Sequence, residues 1–318
     1  MANTGPELPQ GISVVVPVYN AQDCLATLVA RLGPVLEAAA KSFELILVND
    51  GSRDNSWQTI VEITTKTRWT RGINLMRNYG QHNALLCGIR EARYDTIVTL
   101  DDDLQNPPEE MPRLLSELQA GADVVYGYPE HQQHGVLRDL ASVITKIALQ
   151  KGMGAQTARH ISAYRAFRTQ IRDGFAEYRG SFVSIDALLT WATSRFMSIP
   201  VRHDQRMAGR SNYTLGKLIT HAINMMTGFS TIPLRSGSLL GFGFTLFGVG
   251  VLAYVLIRYL TQGSAVAGFP FLASVIAIFS GVQLFTLGMI GEYLARMHFR
   301  LMDRSPYAIR QVTPPEVR

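Results

Sequence analysis

Thr99-Leu100-Asp101-Asp102-Asp103-Leu104-Gln105-Asn106-Pro107-Pro108-Glu109 is the stretch that decides how this chain is read. Ahead of it, residues 94–100 alternate and then run apolar, as a strand does. Behind it, Pro107 and Pro108 stand where a helix tolerates proline, in its first turn. The aspartates therefore fall at the carboxyl end of a strand, just before a helix. In an open α/β sheet that edge is where ligands bind. Oxygen-only ligation at Asp101 and Asp103 suits a hard cation, Mg2+ or Mn2+, with phosphate oxygens completing its shell. A nucleotide diphosphate is the guest such a site implies. Taken alone, the run reads equally well as a solvated acidic turn capping the next helix.

The neighbouring segments separate the two readings. Apolar, β-rich runs at residues 12–16, 43–48, 72–76, 96–100 and 122–126 alternate with helical patterns. That alternation predicts a mostly parallel sheet covered by helices on both faces. The first strand ends in Pro17-Val18-Tyr19-Asn20, the second in Asn49-Asp50-Gly51-Ser52, the fourth in the aspartate run. Three strand ends carrying ligand-capable side chains predict one shared crevice, in which Asp50 is suited to accept a hydrogen bond from a nucleobase or ribose. No Gly-x-Gly-x-x-Gly follows the first strand, and no Gly-x-x-x-x-Gly-Lys-Ser/Thr is present. Dinucleotide cofactors and P-loop hydrolysis thus lack their usual support, and a metal is left to hold the phosphates.

Of the 318 residues, 47% are hydrophobic, and the apolar excess collects after about residue 232. Residues 236–260 carry no charge before Arg258, and a second stretch, 263–291, carries none before Glu292. About 20 helical residues span a hydrocarbon core, so a transmembrane hairpin is predicted, with spans near 236–260 and 269–292. Arg235 precedes the hairpin and Arg296, Arg300 and Arg304 follow it, which predicts that both ends and the N-terminal domain face the cytoplasm. The N-terminus has no basic segment leading into an apolar one, so no signal peptide is read there. The predicted layout is a cytosolic domain over 1–210, interfacial amphipathic helices over 211–234, the hairpin over 235–300 and a cytosolic tail over 301–318. A net charge of +5 without a dense Lys/Arg block interleaved with aromatics argues for anionic lipid and phosphate partners, not nucleic acid. Cys24 and Cys87, isolated thiols in apolar surroundings, read as packing residues and not as a disulfide.

Taken together, Val14-Val15-Val16-Pro17-Val18-Tyr19-Asn20, Val48-Asn49-Asp50-Gly51-Ser52, Arg77-Asn78-Tyr79-Gly80-Gln81-His82, the run from Asp101 to Glu109, and Gly291-Glu292-Tyr293 resemble glycosyltransferase family 2. Within it, the chain is similar to the membrane-anchored polyprenyl-phosphate glycosyltransferases of the dolichol-phosphate mannose synthase kind, and to bacterial undecaprenyl-phosphate sugar transferases. The resemblance implies a GT-A fold, a nucleotide-diphosphate sugar donor, Mg2+ or Mn2+, and inversion at the anomeric carbon. It implies donor-nucleotide roles for Pro17, Tyr19, Asn20, Asp50 and Asp102, and metal binding by Asp101 and Asp103 with Gln105 in support. Arg138 and Ser142, four apart on one face of a helix predicted over 136–150, match positions that hold the lipid phosphate. Arg206, in Arg-x-x-Gly-x-Ser-x-Tyr, matches a basic loop residue near the phosphates. Asp101, Asp103, Arg138 and Arg206 are thereby the expected catalytic set.

The chain departs from the pattern twice. Ala21 stands where many relatives carry a glutamate, and the stretch 157–162 lacks an aspartate that relatives place near the acceptor. A lipid monophosphate needs no base, because phosphate monoesters already ionise with a second pKa of about 6. The alternatives are a processive membrane polysaccharide synthase, for which two spans are too few and the Gln-x-x-Arg-Trp motif is absent, and a non-catalytic membrane scaffold, against which Asp101 and Asp103 weigh. Glycines along both spans (Gly237, Gly241, Gly243, Gly248 and Gly250; Gly281, Gly288 and Gly291) predict close helix packing within the hairpin or in a homo-oligomer, a dimer or tetramer.

Overall fold

The computed structural model describes residues 9–129, 160–180, 183–204, 232–262, 268–302 and 304–314. These fall into two units, one holding the sheet and the other the two apolar helices. Arg138, Ser142 and Arg206, the helix expected over 136–150 and the amphipathic segment expected over 211–234 lie almost wholly outside the described residues, which take up that segment only at residue 232.

Every expected strand forms. In chain order the sheet unit contains β1 (Gly11–Val18), α1 (Leu25–Ala39), β2 (Ser42–Asn49), α2 (Ser56–Lys66), β3 (Thr70–Leu75), α3 (Gln81–Glu91) and β4 (Thr96–Thr99). After a short 3-10 turn at Pro108–Glu110 come α4 (Met111–Gln119), β5 (Val124–Pro129), β6 (Arg165–Arg168), α5 (Ile185–Ala192) and β7 (Phe196–Val201). The chain returns much later as β8 (Ile309–Thr313). The sheet order is β7-β5-β6-β4-β1-β2-β3-β8. β1 pairs in parallel with β2 and β4, β2 with β3, and β5 with β7, while β6 and β8 run the other way. This is the mostly parallel α/β architecture that the strand pattern predicts, in the GT-A-like form that the resemblance implies.

Alternation along β1 assigns the helices to faces. Ile12, Val14 and Val16 share a core with Leu28 and Leu32 of α1 and Leu114 and Leu118 of α4, whereas Val15 faces α3. There Gly88 approaches so closely that a Cβ would lie 2.3 Å from a Val15 methyl. Polar residues inside these strands are paired: Glu44, 5% exposed, accepts from Ser13 Oγ at 2.8 Å and Arg71 Nε at 2.9 Å. Cys24 and Cys87 are buried and form no disulfide.

The last residues correct one expectation. Instead of a tail, 309–313 is an edge strand antiparallel to β3, pairing Thr313 with Gly72 and Val312 with Ile73. Backbone ladder bonds and the buried Thr313, which meets Thr64 Oγ1 at 3.1 Å, recruit a polar sequence with little apolar signal.

The second unit consists of α6 (Ile232–Gln262) and α7 (Phe269–Leu301). At 1.5 Å per residue these are about 46 and 50 Å long, longer than the roughly 30 Å hydrocarbon core. Segments Ser236–Arg258 and Ile278–Ala295 are each long and apolar enough to cross a membrane, and neither is buried. Two of the glycines do serve close packing within the hairpin: a Cβ at Gly237 would meet Met289 at 2.5 Å, and one at Gly248 would meet Phe279 at 3.1 Å.

Candidate active site

The parallel strands deliver their carboxyl ends to one edge, and the loops there are tied together by side chains acting on backbone. Asn20 adopts a left-handed conformation at φ +54°, which lets its N–H donate to Ser52 Oγ at 3.0 Å while its own Oδ1 accepts from Arg53 N at 2.8 Å. Ser52 Oγ in turn donates to Asn49 Oδ1 at 2.5 Å. Asn49 reaches across to β3, donating to Asn74 Oδ1 at 2.8 Å. Tyr19 follows the end of β1, and its N–H donates to Asp102 Oδ2 at 3.1 Å. Asp102, expected at the nucleotide, thus joins the first strand's loop to the aspartate run. Pro17 sits inside β1 opposite Val48 and is buried.

Asp50 ties two loops together at this edge. It is 3% exposed, and its two carboxylate oxygens accept from Tyr79 N at 2.7 Å and Gly80 N at 2.8 Å. Burial pushes its pKa up, opposed by those two backbone donors. The contact requires glycine beside it: Gly51 is at φ +67°, and a Cβ there would lie 2.5 Å from Asn78 N. The partners of Asp50 lie some thirty residues away, so it locks the second strand's loop to the start of α3. Each carboxylate oxygen has two lone pairs, so acceptor capacity remains for a ligand.

Across from it, the aspartates each take a different partner. Asp101 Oδ1 accepts from Gln81 Nε2 at 2.6 Å. Asp103 Oδ1 accepts from Gln105 N at 3.1 Å, a tight turn that Leu104 completes at φ +60°. Gln105 contributes through its backbone, since its carbonyl accepts from Asp204 N at 2.9 Å. Asp204 lies just past β7, two positions before Arg206 in sequence. Glu109 at the end of the run is held by Arg31 of α1 through two hydrogen bonds of 2.9 and 2.7 Å, and the Arg31 guanidinium lowers its pKa.

Among the described residues no group of three or more His, Cys, Asp or Glu side chains forms a cage for a metal. That fits the cation expected: Mg2+ binds through one or two carboxylates and takes its remaining ligands from substrate phosphate and water. Asp101 and Asp103 could supply that number, with oxygen donors only.

Residues 13–177 match the family model described as glycosyl transferase family 2. The chain belongs to glycosyl transferase family 2. The fold of this transferase is similar to that of glucosyl-3-phosphoglycerate synthase from Mycobacterium tuberculosis in complex with uridine diphosphate, at 17% identity and a TM-score of 0.50 over 69% of this chain and 78% of that one. The complex of the same synthase with Mn2+, UDP-glucose and phosphoglyceric acid gives 17% identity and 0.50 over 69% of this chain and 79% of that one.

Two features of the family 2 transferase escape sequence reasoning. Gln81 carries no signal of its own within its motif, because its contact with Asp101 depends on where α3 begins in space. The second feature is a buried cluster behind the edge. Arg165, 2% exposed, donates from Nη1 to Asp186 Oδ1 at 2.6 Å, and Tyr126 Oη donates to the same oxygen at 2.9 Å. Burial and the Asp186 charge push the tyrosine pKa well up, which keeps it a donor. Arg165, one of two arginines in a four-residue strand, gives no sign of burial in the sequence. His160 stacks on Tyr128 with ring centroids 3.9 Å apart, and Ser162 Oγ donates to Gly127 O at 2.5 Å.

Proposed function

We propose that this transferase moves one sugar from a nucleotide diphosphate to a polyprenyl phosphate, with undecaprenyl phosphate the acceptor, inverting the anomeric carbon, at the cytoplasmic face of the cell membrane. The observation that carries the reading is topological. The sheet gives out the chain after β7 and takes it back as β8, and between them lie two unburied helices of membrane-spanning length. If these helices cross a bilayer, two crossings are the number that returns the chain to the side it left. A transferase domain held against a membrane suits an acceptor that cannot leave it, since each buried methylene is worth about 0.8 kcal/mol.

The donor lies at the carboxyl edge, with its nucleotide near Tyr19, Asn20 and Asp50 and its diphosphate facing Asp101 and Asp103. Bound there, Mg2+ or Mn2+ would act as a Lewis acid toward the departing diphosphate. Arg138, Ser142 and Arg206 hold the lipid phosphate, whose oxygen forms the new bond to C1 as the bond from C1 to the nucleotide diphosphate breaks. No proton need be removed from an ionised phosphate, so the lack of a carboxylate near 160 is no obstacle. The Mycobacterium synthase that shares the fold was crystallised with phosphoglyceric acid, a molecule that also bears a phosphate.

Asp103→Ala tests the assignment. Purified variant should remain folded, float with liposomes and release no nucleotide diphosphate in the presence of acceptor; turnover near that of the parent chain would remove the metal role.

A further inference from the structure

The residues around β8 do more than extend the sheet. The β3–β8 register is regular from Thr313 to Gln311 and then shifts between Asn74 and Leu75, immediately before the loop that carries the site contacts. Past that shift Met76 is gripped on both sides. Its N–H donates to Ala308 O at 2.9 Å, and its carbonyl accepts from Arg310 Nη2 at 2.9 Å. The Met76 side chain is 50% exposed, so the backbone bonds, not apolar burial, fix this residue.

The next five residues are the ones that reach the candidate site. Arg77 and Asn78 pass against Gly51, Tyr79 and Gly80 donate to Asp50, and Gln81 donates to Asp101. The same C-terminal segment also touches the body of α3. Tyr307 lies beneath the Arg90 guanidinium, 5.8 Å from ring centroid to Cζ, and shares a side-chain hydrogen bond with Cys87, a thiol that burial pushes up to about 12. Segment 76–81 is therefore a short link. One end is clamped by residues 307–310 and the other is bonded to two carboxylates of the site. Ladder pairing alone would not call for Arg310 on Met76 or Tyr307 on α3.

We propose that the C-terminal segment 304–314 is a strap that positions segment 76–81, and through it Asp50 and Asp101, for the nucleotide donor. This rests on the reading of the carboxyl edge as the donor site. Arg310 is exposed and acts on Met76, so it is a positioning residue and its loss leaves the core intact. The strap predicts that disturbing it weakens donor binding without touching the acceptor.

The experiment uses the full chain in detergent with Arg310→Ala, and with Gln311→Ala as a strand control, since Gln311 is an exposed β8 residue paired with Asn74. Uridine diphosphate and guanosine diphosphate, each with Mn2+, are titrated by calorimetry, and the tighter one becomes the probe. Arg310→Ala should weaken the probe about fivefold, the scale of one ordinary net hydrogen bond, because the lost contact lies on exposed backbone. It should also speed amide exchange of the peptide spanning 76–81, leave undecaprenyl-phosphate binding within about twofold, and leave the melting temperature unchanged. Gln311→Ala should change none of these. Arg310→Ala with parental nucleotide affinity and parental exchange at 76–81 overturns the strap, as does an equal loss in both variants. Asp103→Ala in the same titration reports on the underlying reading: if it binds the nucleotide with Mn2+ as tightly as the parent chain, the donor site is misplaced and the strap falls with it.

Discussion

Replacing Asp50 by Asn changes one atom in a buried contact and should be felt in two places. The carboxylate accepts from Tyr79 N and Gly80 N, one on each oxygen, at 2.7 and 2.8 Å. An asparagine keeps one acceptor and turns an NH2 toward the other N–H, leaving a buried donor unpaired at a cost of about 1–3 kcal/mol. Against this, the variant no longer holds a charge in a site where burial raises the carboxyl pKa. Near neutral pH the two partly cancel, and a net loss of about 1 kcal/mol is expected. The pH dependence separates them. Because the folded-state pKa lies above its ordinary 3.8, the native state binds more protons than the unfolded state in the window between the two values, and Asp50 costs stability as pH rises through it. The parent's advantage over Asp50→Asn should therefore be largest below that window and shrink as pH rises across it. Urea denaturation of both proteins at a series of pH values, with amide exchange at Tyr79 and Gly80 as the local readout, measures this. An advantage that grows with pH over the same range would refute the burial argument. Unaltered exchange at Tyr79 and Gly80 would refute the contact itself.

Two further outcomes follow from named contacts. Gln81→Met keeps the shape of the side chain and removes the donor to Asp101, so the Mn2+ concentration needed for half-maximal nucleotide binding should rise severalfold, about the value of one charge-assisted hydrogen bond, with no change in melting; unchanged Mn2+ dependence would show that Asp101 needs no such support. Arg165→Met leaves Asp186 buried without its cation and should destabilise the sheet unit by about 3–5 kcal/mol, read as a fall in urea midpoint, whereas a loss below about 1 kcal/mol would mean that water replaces the guanidinium.

What the residues disclose in advance follows from how each element is stabilised. β1, β2, β4 and β5 are mostly buried, so their sequences are largely apolar and stand out, whereas β3, Thr-Arg-Gly-Ile-Asn-Leu, is as buried but half polar, with Arg71 paired to Glu44 and Asn74 to Asn49. β6, Arg-Ala-Phe-Arg, does not stand out, because the partner that makes Arg165 tolerable inside is Asp186, twenty-one residues on. β8 is legible only as a polar tail, since an edge strand draws its stability from the ladder with β3 and from single contacts such as Thr313 on Thr64. The same division holds at the site. The aspartate run and the two other strand ends are local motifs and point to one edge. That Asp50 and Asp102 spend oxygens on Tyr79, Gly80 and Tyr19 is set by which loops become neighbours, information that a linear motif does not contain. Arg138, Ser142 and Arg206 lie outside the described residues, and the acceptor roles proposed for them are examined by mutation.

The transfer itself is the most direct test. The full chain, incubated with undecaprenyl phosphate, Mg2+ or Mn2+ and a panel of nucleotide-diphosphate sugars, should convert the lipid, for one donor of the panel, to a species heavier by one sugar residue in the mass spectrum, with stoichiometric nucleotide diphosphate and loss of the product on chelation. A lipid left unmodified by every donor, or a ladder of products carrying many sugars, would contradict the account.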